Sequence, residues 1–149
     1  MEIEHFGSRE ILSPENACLL VSFLHKELEQ YGDPEEAIRK AIEYALGNPA
    51  AGQGGMVAIA RDNGKMIGAA VVNRTGMEGY IPENILVYIA VHHDFRGMGV
   101  GRQLLSSVID RTEGDIALHV EPDNPARFLY RKMGFGNKYL EMRLARKDC

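Results

Sequence analysis

The stretch Ile85 to Ser107, ILVYIAVHHDFRGMGVGRQLLSS, constrains the fold more than any other part of the chain. Its first seven residues, Ile85 to Val91, are apolar without charge or alternation, the pattern of a central strand covered on both faces. A short polar loop then leads through Arg96 into Gly97-Met98-Gly99-Val100-Gly101. Glycines at alternate positions let the backbone take positive φ and come close to a ligand, so that successive N–H groups converge on one concavity. Leu104, Leu105, Val108 and Ile109 recur at helical spacing, which puts that concavity at a helix N-terminus. Such an end offers free N–H donors and about half a positive charge, a setting that favours phosphate. Arg96 and Arg102 flank it with full charges. The stretch reads as strand, phosphate cradle and helix.

A glycine-rich turn by itself is equally well a plain tight turn. Two familiar phosphate motifs fail on detail. The loop of the nucleotide hydrolases needs Lys-Ser or Lys-Thr after its last glycine, where Arg102-Gln103 stands here. The dinucleotide fingerprint needs its third glycine further along and an acid closing the next strand, whereas the spacing here is G-x-G-x-G. What the stretch resembles is the acetyl-CoA-binding motif of the GNAT superfamily of N-acetyltransferases, Arg/Gln-x-x-Gly-x-Gly/Ala after a strand ending in Ala-Val. Arg96, Gly99 and Gly101 fill its three places.

Length allows one domain, residues 1–149, and 45% apolar with 26% charged residues is ordinary for a soluble globular chain. A net charge of −4 with no basic stripe argues against a nucleic-acid surface, so a polyanionic ligand would be held by local charge. Cys18 lies in an apolar helix pattern and Cys149 at the very end, so neither a disulfide framework nor a zinc spacing is proposed, and a reducing compartment is expected. No secretory leader and no bilayer-length apolar stretch are read, which makes the expected location cytoplasmic, away from membranes.

Taken in order, Glu2 to Ile11 reads as an edge strand. Ser13-Pro14 caps a helix whose apolar face is Ala17, Leu20, Val21, Leu24 and Leu28, with His25 and Glu29 off that stripe. Asp33-Pro34-Glu35-Glu36 opens a second helix as a capping box, with Ile38, Ala41, Ile42 and Ala45 inward. Gly47 to Gly55 is a breaker-rich surface loop. Met56 to Ala60 and Lys65 to Val72 form a hairpin across Asn63-Gly64, and Arg74 to Pro82 is a turn region before the central strand. Ile116 to Glu121 reads as a strand, Asn124-Pro125 as the start of a helix with Ala126, Leu129 and Met133 inward and Gly134 at its end, and Tyr139 to Leu144 as a last strand. The sum is an α/β fold, a mixed central sheet with helices on both faces.

This order is similar to that of the GNAT fold, and a second family pattern falls within it: Asn124, Tyr130 and Gly134-Phe135, N-x(5)-Y-x(3)-G-F. The resemblance implies roles. The main chain of Ile89, Ala90 and Val91 would pair with the pantetheine arm of acetyl-CoA like an added strand. The N–H groups of Gly97, Met98, Gly99, Val100, Gly101 and Arg102, with Arg96 beside them, would hold the pyrophosphate. Asn124 would hydrogen-bond the cofactor, and Tyr130 would protonate the departing CoA thiolate. Read without the family, Asn124 is a helix cap and Tyr130 a buried helix aromatic.

Acetyl transfer to an amine needs a base for the amine proton and an acid for the sulfur. Some branches of the family carry a glutamate in the central strand, where this chain has only Ile85 to Val91. His119 is the substitute, since its unperturbed pKa suits the task; otherwise it is an ordinary strand histidine. Glu83, Tyr88 or a water chain are weaker alternatives. His92-His93 departs from the family, and a metal is set aside because no carboxylate or thiolate stands at ligand spacing.

Two function classes stay open. One is an acetyl-CoA-dependent N-acetyltransferase acting on a primary amine of a small molecule or a protein. The other is a catalytically silent acyl-CoA-binding module that regulates a partner. A nucleotide-binding switch lacks its Lys-Ser/Thr. The acceptor pocket is expected from the first two helices, the Gly47 to Gly55 loop and the Arg74 to Pro82 turn, where Glu78 and Glu83 would attract a cationic amine. The assembly is open between monomer and homodimer.

Overall fold

The computed structural model describes residues 1–146; Cys149 lies outside them. The chain divides into two compact units, Met1–Leu118 and the stretch from His119 onward. The first unit holds β1 (Glu2–Phe6), α1 (Pro14–Glu27), α2 (Glu35–Ala45), β2 (Gly55–Asp62), β3 (Lys65–Arg74), β4 (Asn84–Val91), α3 (Val100–Arg111) and β5 (Ile116–Leu118). The strands form one sheet in the order β1-β2-β3-β4-β5, antiparallel except for the parallel β4–β5 pair. Its hairpin turns on Asn63 and Gly64, whose φ values of 50° and 78° are those of a turn that matches strand twist.

Helices cover both faces of this sheet. On one, Leu20, Val21, Leu24, Ile38 and Ile42 pack with Val57, Ile59, Ala69, Val71, Tyr88 and Ala90. On the other, α3 lies so close to β3 that a Cβ added at Gly68 would stand 3.1 Å from Val100 Cγ1 and 3.5 Å from Leu104 Cδ2. Ser13 caps α1 as its sequence implies, its hydroxyl accepting the Asn16 N–H at 3.2 Å with Pro14 in the first turn.

Several boundaries differ from the sequence reading. β1 ends at Phe6 rather than Ile11. Asp33 does not cap α2; Pro34 holds that place without a side-chain bond, because the Asp33 carboxylate accepts the Tyr88 hydroxyl at 2.5 Å instead. The Gly47 to Gly55 loop contains a helical turn, Pro49–Ala51, capped by Asn48. β4 is not evenly covered: Asn84, Leu86, Tyr88 and Ala90 are buried, while Ile85, Val87, Ile89 and Val91 are half-buried. β5 is only three residues long, so His119 falls outside it.

Within the second unit, α4 (Ala126–Lys132) ends at Gly134, whose φ is 102°. The Gly134 N–H reaches the Arg131 carbonyl at 3.1 Å and the Phe135 N–H the Tyr130 carbonyl at 2.9 Å, the paired bonds of a Schellman end. Tyr139 to Leu144 is not a strand. Its period-two pattern is there, but a strand also needs a neighbour for its N–H and C=O groups, and Tyr139, Leu140, Met142 and Leu144 stay exposed.

Candidate active site

The β4 strand sets the geometry of the first unit's site. Its register with β3 passes from Val71↔Tyr88 to Val72↔Leu86, leaving Val87 as the extra residue of a bulge. On its other side β5 pairs only with Asn84, Ile85 and Leu86. From Val87 to Val91, β4 therefore has no strand neighbour on that edge among the described residues. The His92 N–H bonds the Ile67 carbonyl at 2.8 Å, and strand alternation then turns the backbone of Ala90 toward β3 and that of Ile89 and Val91 toward the open edge. These are backbone donors and acceptors placed for an extended ligand, the Val91 carbonyl being shared with Arg96 Nε at 3.2 Å.

The open edge runs directly into the glycine turn. Gly97 and Gly99 have φ of 77° and 82°, a conformation that costs an L side chain about 1–2 kcal/mol. A Cβ built on either would meet nothing within 4 Å. Gly99 is the N-cap of α3 and offers no side-chain cap. The first bond inside the helix joins the Gln103 N–H to the Gly99 carbonyl at 3.0 Å, so the N–H groups of Val100, Gly101 and Arg102 have no partner within it. Gly101 lies inside the first turn of α3 and does not have a positive φ. Arg102 is exposed. Free donors, a helix dipole and glycines that leave room in front of them fit a diphosphate.

Arg96 is placed otherwise than the sequence suggests. Its Nη2 donates to the Glu27 carbonyl at 2.9 Å and its Nε to the Val91 carbonyl at 3.2 Å, while Nη1 reaches Glu29 Oε1 at 3.4 Å. The guanidinium thus anchors the loop to the end of α1. Glu27, which the sequence reading passed over, is buried, and His93 donates to its carboxylate from both the main chain and Nδ1, each at 2.9 Å. A carboxylate does therefore stand beside the histidine pair, and single ligand atoms of Glu27, His92 and His93 lie within 4.8 Å of one another. The carboxylate is already engaged by His93 and by Arg96 Nη2 at 3.4 Å, which makes the cluster a clamp. Burial pushes the Glu27 carboxyl upward, but the bonds and charge of His93 outweigh it and hold the group below its ordinary value. The signal for Glu27 was present: it falls on the Leu20-Leu24 stripe of α1.

The alternative bases are engaged as well. Tyr88 is pushed far above the usual tyrosine value, by burial first and then by Asp33, so it holds its proton throughout the neutral range. Glu83 Oε1 accepts the Asp115 N–H at 3.4 Å. Glu78 is exposed.

In the second unit, Asn124 Oδ1 accepts the Ala126 N–H at 2.9 Å, the capping role open to it on sequence alone. Tyr130 is buried, and burial raises its phenol to about 12. Its ring meets Phe135 edge-on at 5.9 Å, which is the apolar contact that accompanies a Schellman end. The Y-x(3)-G-F spacing is thus a helix-ending device that fixes the tyrosine ring. No hydrogen bond to its hydroxyl is formed by the described residues. His119 is exposed, and no hydrogen bond orients its ring among the described residues.

Solved structures with this fold include acetyltransferases. The ribosomal-protein-alanine N-acetyltransferase of Brucella melitensis biovar Abortus 2308 superposes with a TM-score of 0.66 over 99% of this chain and 100% of that one, at 19% identity. The aminoglycoside N-acetyltransferase AAC(6')-Iy in complex with CoA does so at 0.66 over 99% and 96%, at 20% identity. In sequence, the N-alpha-acetyltransferase RimI of Mycobacterium tuberculosis (strain ATCC 25618 / H37Rv) is 34% identical over 89 residues. That match covers 58% of this chain and 56% of the relative, little more than half its length. Residues 53–136 match the acetyltransferase (GNAT) domain model. The protein belongs to the GNAT family of N-acetyltransferases, enzymes whose acetyl donor is acetyl-CoA.

Proposed function

We propose that this chain moves the acetyl group of acetyl-CoA directly to a primary amine. The observation that carries the reading is the β4 edge, open from Val87 to Val91 and continuous with the uncapped N-terminus of α3. Ile89 and Val91 would bind the amide-bearing arm of the donor and the Gly97 to Arg102 amides its diphosphate, with Asn124 as a further hydrogen-bonding group. We take residues 1–149 as one functional domain, because the family match at 53–136 runs across the division between the two units.

In the proposed reaction the amine nitrogen forms a bond to the acetyl carbonyl carbon as the carbon–sulfur bond breaks. His119 takes the proton the amine must lose, and the Tyr130 hydroxyl donates to the sulfur as it gains charge. The acceptor class follows the relatives only in outline: their names point to protein N-termini and to aminoglycosides, both of which present primary amines. The exposed, unheld ring of His119 favours one second reading, an acyl-CoA-binding module without turnover.

A panel of amines, including peptides with N-terminal alanine and aminoglycosides, separates the two when thiol release from acetyl-CoA is followed. Turnover with at least one amine is expected, with kcat falling by roughly 10²–10⁴ in Tyr130→Phe while acetyl-CoA affinity holds. Tight acetyl-CoA binding with no turnover across the panel would leave the module.

A further inference from the structure

Among the described residues only Glu27 and Asn84 are buried polar or charged groups. Glu27 is a carboxylate in the last turn of α1, where the helix dipole and burial act against its charge and the bonds and charge of His93 outweigh them. Removing such a charge in favour of an apolar residue is often neutral or stabilising for a fold. Its contacts all lead to one segment. His93 binds it through main chain and ring, and Arg96 grips its carboxylate, its carbonyl and Glu29. His92 stacks on His93 with ring centroids 4.2 Å apart, and Asp94 Oδ1 lies 3.6 Å from His93 Nε2. Glu29 accepts a φ of 53° at this junction. Residues 93–96 are the lead into Gly97, so both ends of that lead are fastened to the end of α1.

We propose that Glu27 is a positioning residue for the diphosphate-binding turn. Through His93 and Arg96 it fixes where the Gly97 to Arg102 amides stand relative to the open edge of β4. The inference rests on the reading of that turn as the diphosphate cradle. A turn fastened at its entrance presents its donors without first being ordered by the ligand, and small misplacements of such groups are costly.

The test compares two acetyl donors, acetyl-CoA and S-acetylpantetheine, which has the arm but not the diphosphate. Glu27→Gln keeps the shape of the side chain and removes its charge. The expected result is a loss of acetyl-CoA affinity of roughly 10–10²-fold, seen as a raised KM with kcat unchanged, and no change with S-acetylpantetheine. Arg96→Lys keeps the charge but not the fork, and should show the same selective loss, which decides the matter if Glu27→Gln fails to fold. Equal losses for both donors would mean that Glu27 serves only the fold and would overturn the proposal, as would wild-type affinity for acetyl-CoA in both variants. Gly99→Val tells the two readings apart. If it binds acetyl-CoA normally the cradle itself is elsewhere; if it loses binding while Glu27→Gln does not, only the clamp is wrong.

Discussion

Replacing Gly99 by valine perturbs the turn where it enters α3. The residue sits at φ 82°, ψ 7° as the N-cap of α3, and a Cβ there meets nothing of the protein within 4 Å. The cost to the fold is therefore conformational, about 1–2 kcal/mol for a side chain in the left-handed region and somewhat more for a β-branched one. Out of a usual stability of about 5–15 kcal/mol the chain stays folded, with Tm lowered by about 3–8 °C. The cost to binding is larger. The isopropyl group enters the space in front of the Val100, Gly101 and Arg102 amides, each of which would give an anion a bond of about 1.5–3 kcal/mol. Losing two of them weakens acetyl-CoA by about 3–6 kcal/mol, or about 10²–10⁴ in Kd. Calorimetric titration of cofactor-free protein, with a melt in parallel, measures both. Gly99→Ala should lower Tm slightly less, because its side chain is not β-branched, and should lose less affinity, because its methyl is smaller. A valine variant that shows the modest fall in Tm and yet binds within threefold of wild type would refute the reasoning and leave the turn as only a turn.

Other outcomes follow from single groups. Ser13→Ala removes the α1 cap and should lower stability by about 1 kcal/mol, or Tm by about 2–4 °C, in a thermal melt. Burial raises the Tyr130 phenol to about 12, so the folded state favours the neutral form; its contribution is complete below about pH 10 and lost between about pH 10 and 12. Alkaline denaturation of Tyr130→Phe should lack that share of the loss. Glu27 is held below its ordinary value, so its stabilisation is complete above the usual carboxylate range and disappears as pH falls through the lower folded value. Acid unfolding of Glu27→Gln should accordingly be flatter than that of the wild type.

Local chemistry made most of the fold legible. Ser13-Pro14, Asn63-Gly64 and Gly134 each admit few backbone conformations, and each element they bound is where it was expected. The α2 face of Ile38, Ala41, Ile42 and Ala45 is buried as its spacing requires. The misreadings have a common cause, which is that a pattern names a candidate and a distant partner decides. Asp33 is a good cap by type, but the hydroxyl of Tyr88, 55 positions away, takes its carboxylate. Arg96 is well placed in sequence to meet phosphate, yet Glu27 and Glu29 on another element draw its guanidinium away. Ile116 to Glu121 has strand composition throughout, but β4 bulges at Val87 and pairing stops at Leu118. That early stop is what opens the β4 edge, and nothing in the apolar run from Ile85 to Val91 announces it.

The raised phenol of Tyr130 also bears on what its proposed role can be. A phenol near 12 is roughly three to four units weaker as an acid than an ordinary thiol at about 8.5. Outright transfer of its proton to a free thiolate therefore runs uphill, by about 4–5 kcal/mol. A hydrogen bond that strengthens as charge gathers on sulfur does not carry that cost, and it acts only in the transition state, where it raises kcat rather than affinity. The proton that finally stays on sulfur can come from water. On this account Tyr130 contributes a donor held at one place by the Schellman end of α4 and by Phe135. It also remains protonated through the neutral and mildly alkaline range. The alkaline limb of the rate profile then belongs to another group, and it should sit at the same pH in wild type and Tyr130→Phe even though the plateau drops. A limb below pH 11 that vanishes with the hydroxyl would mean that the phenol titrates in the working range and gives up its proton in full.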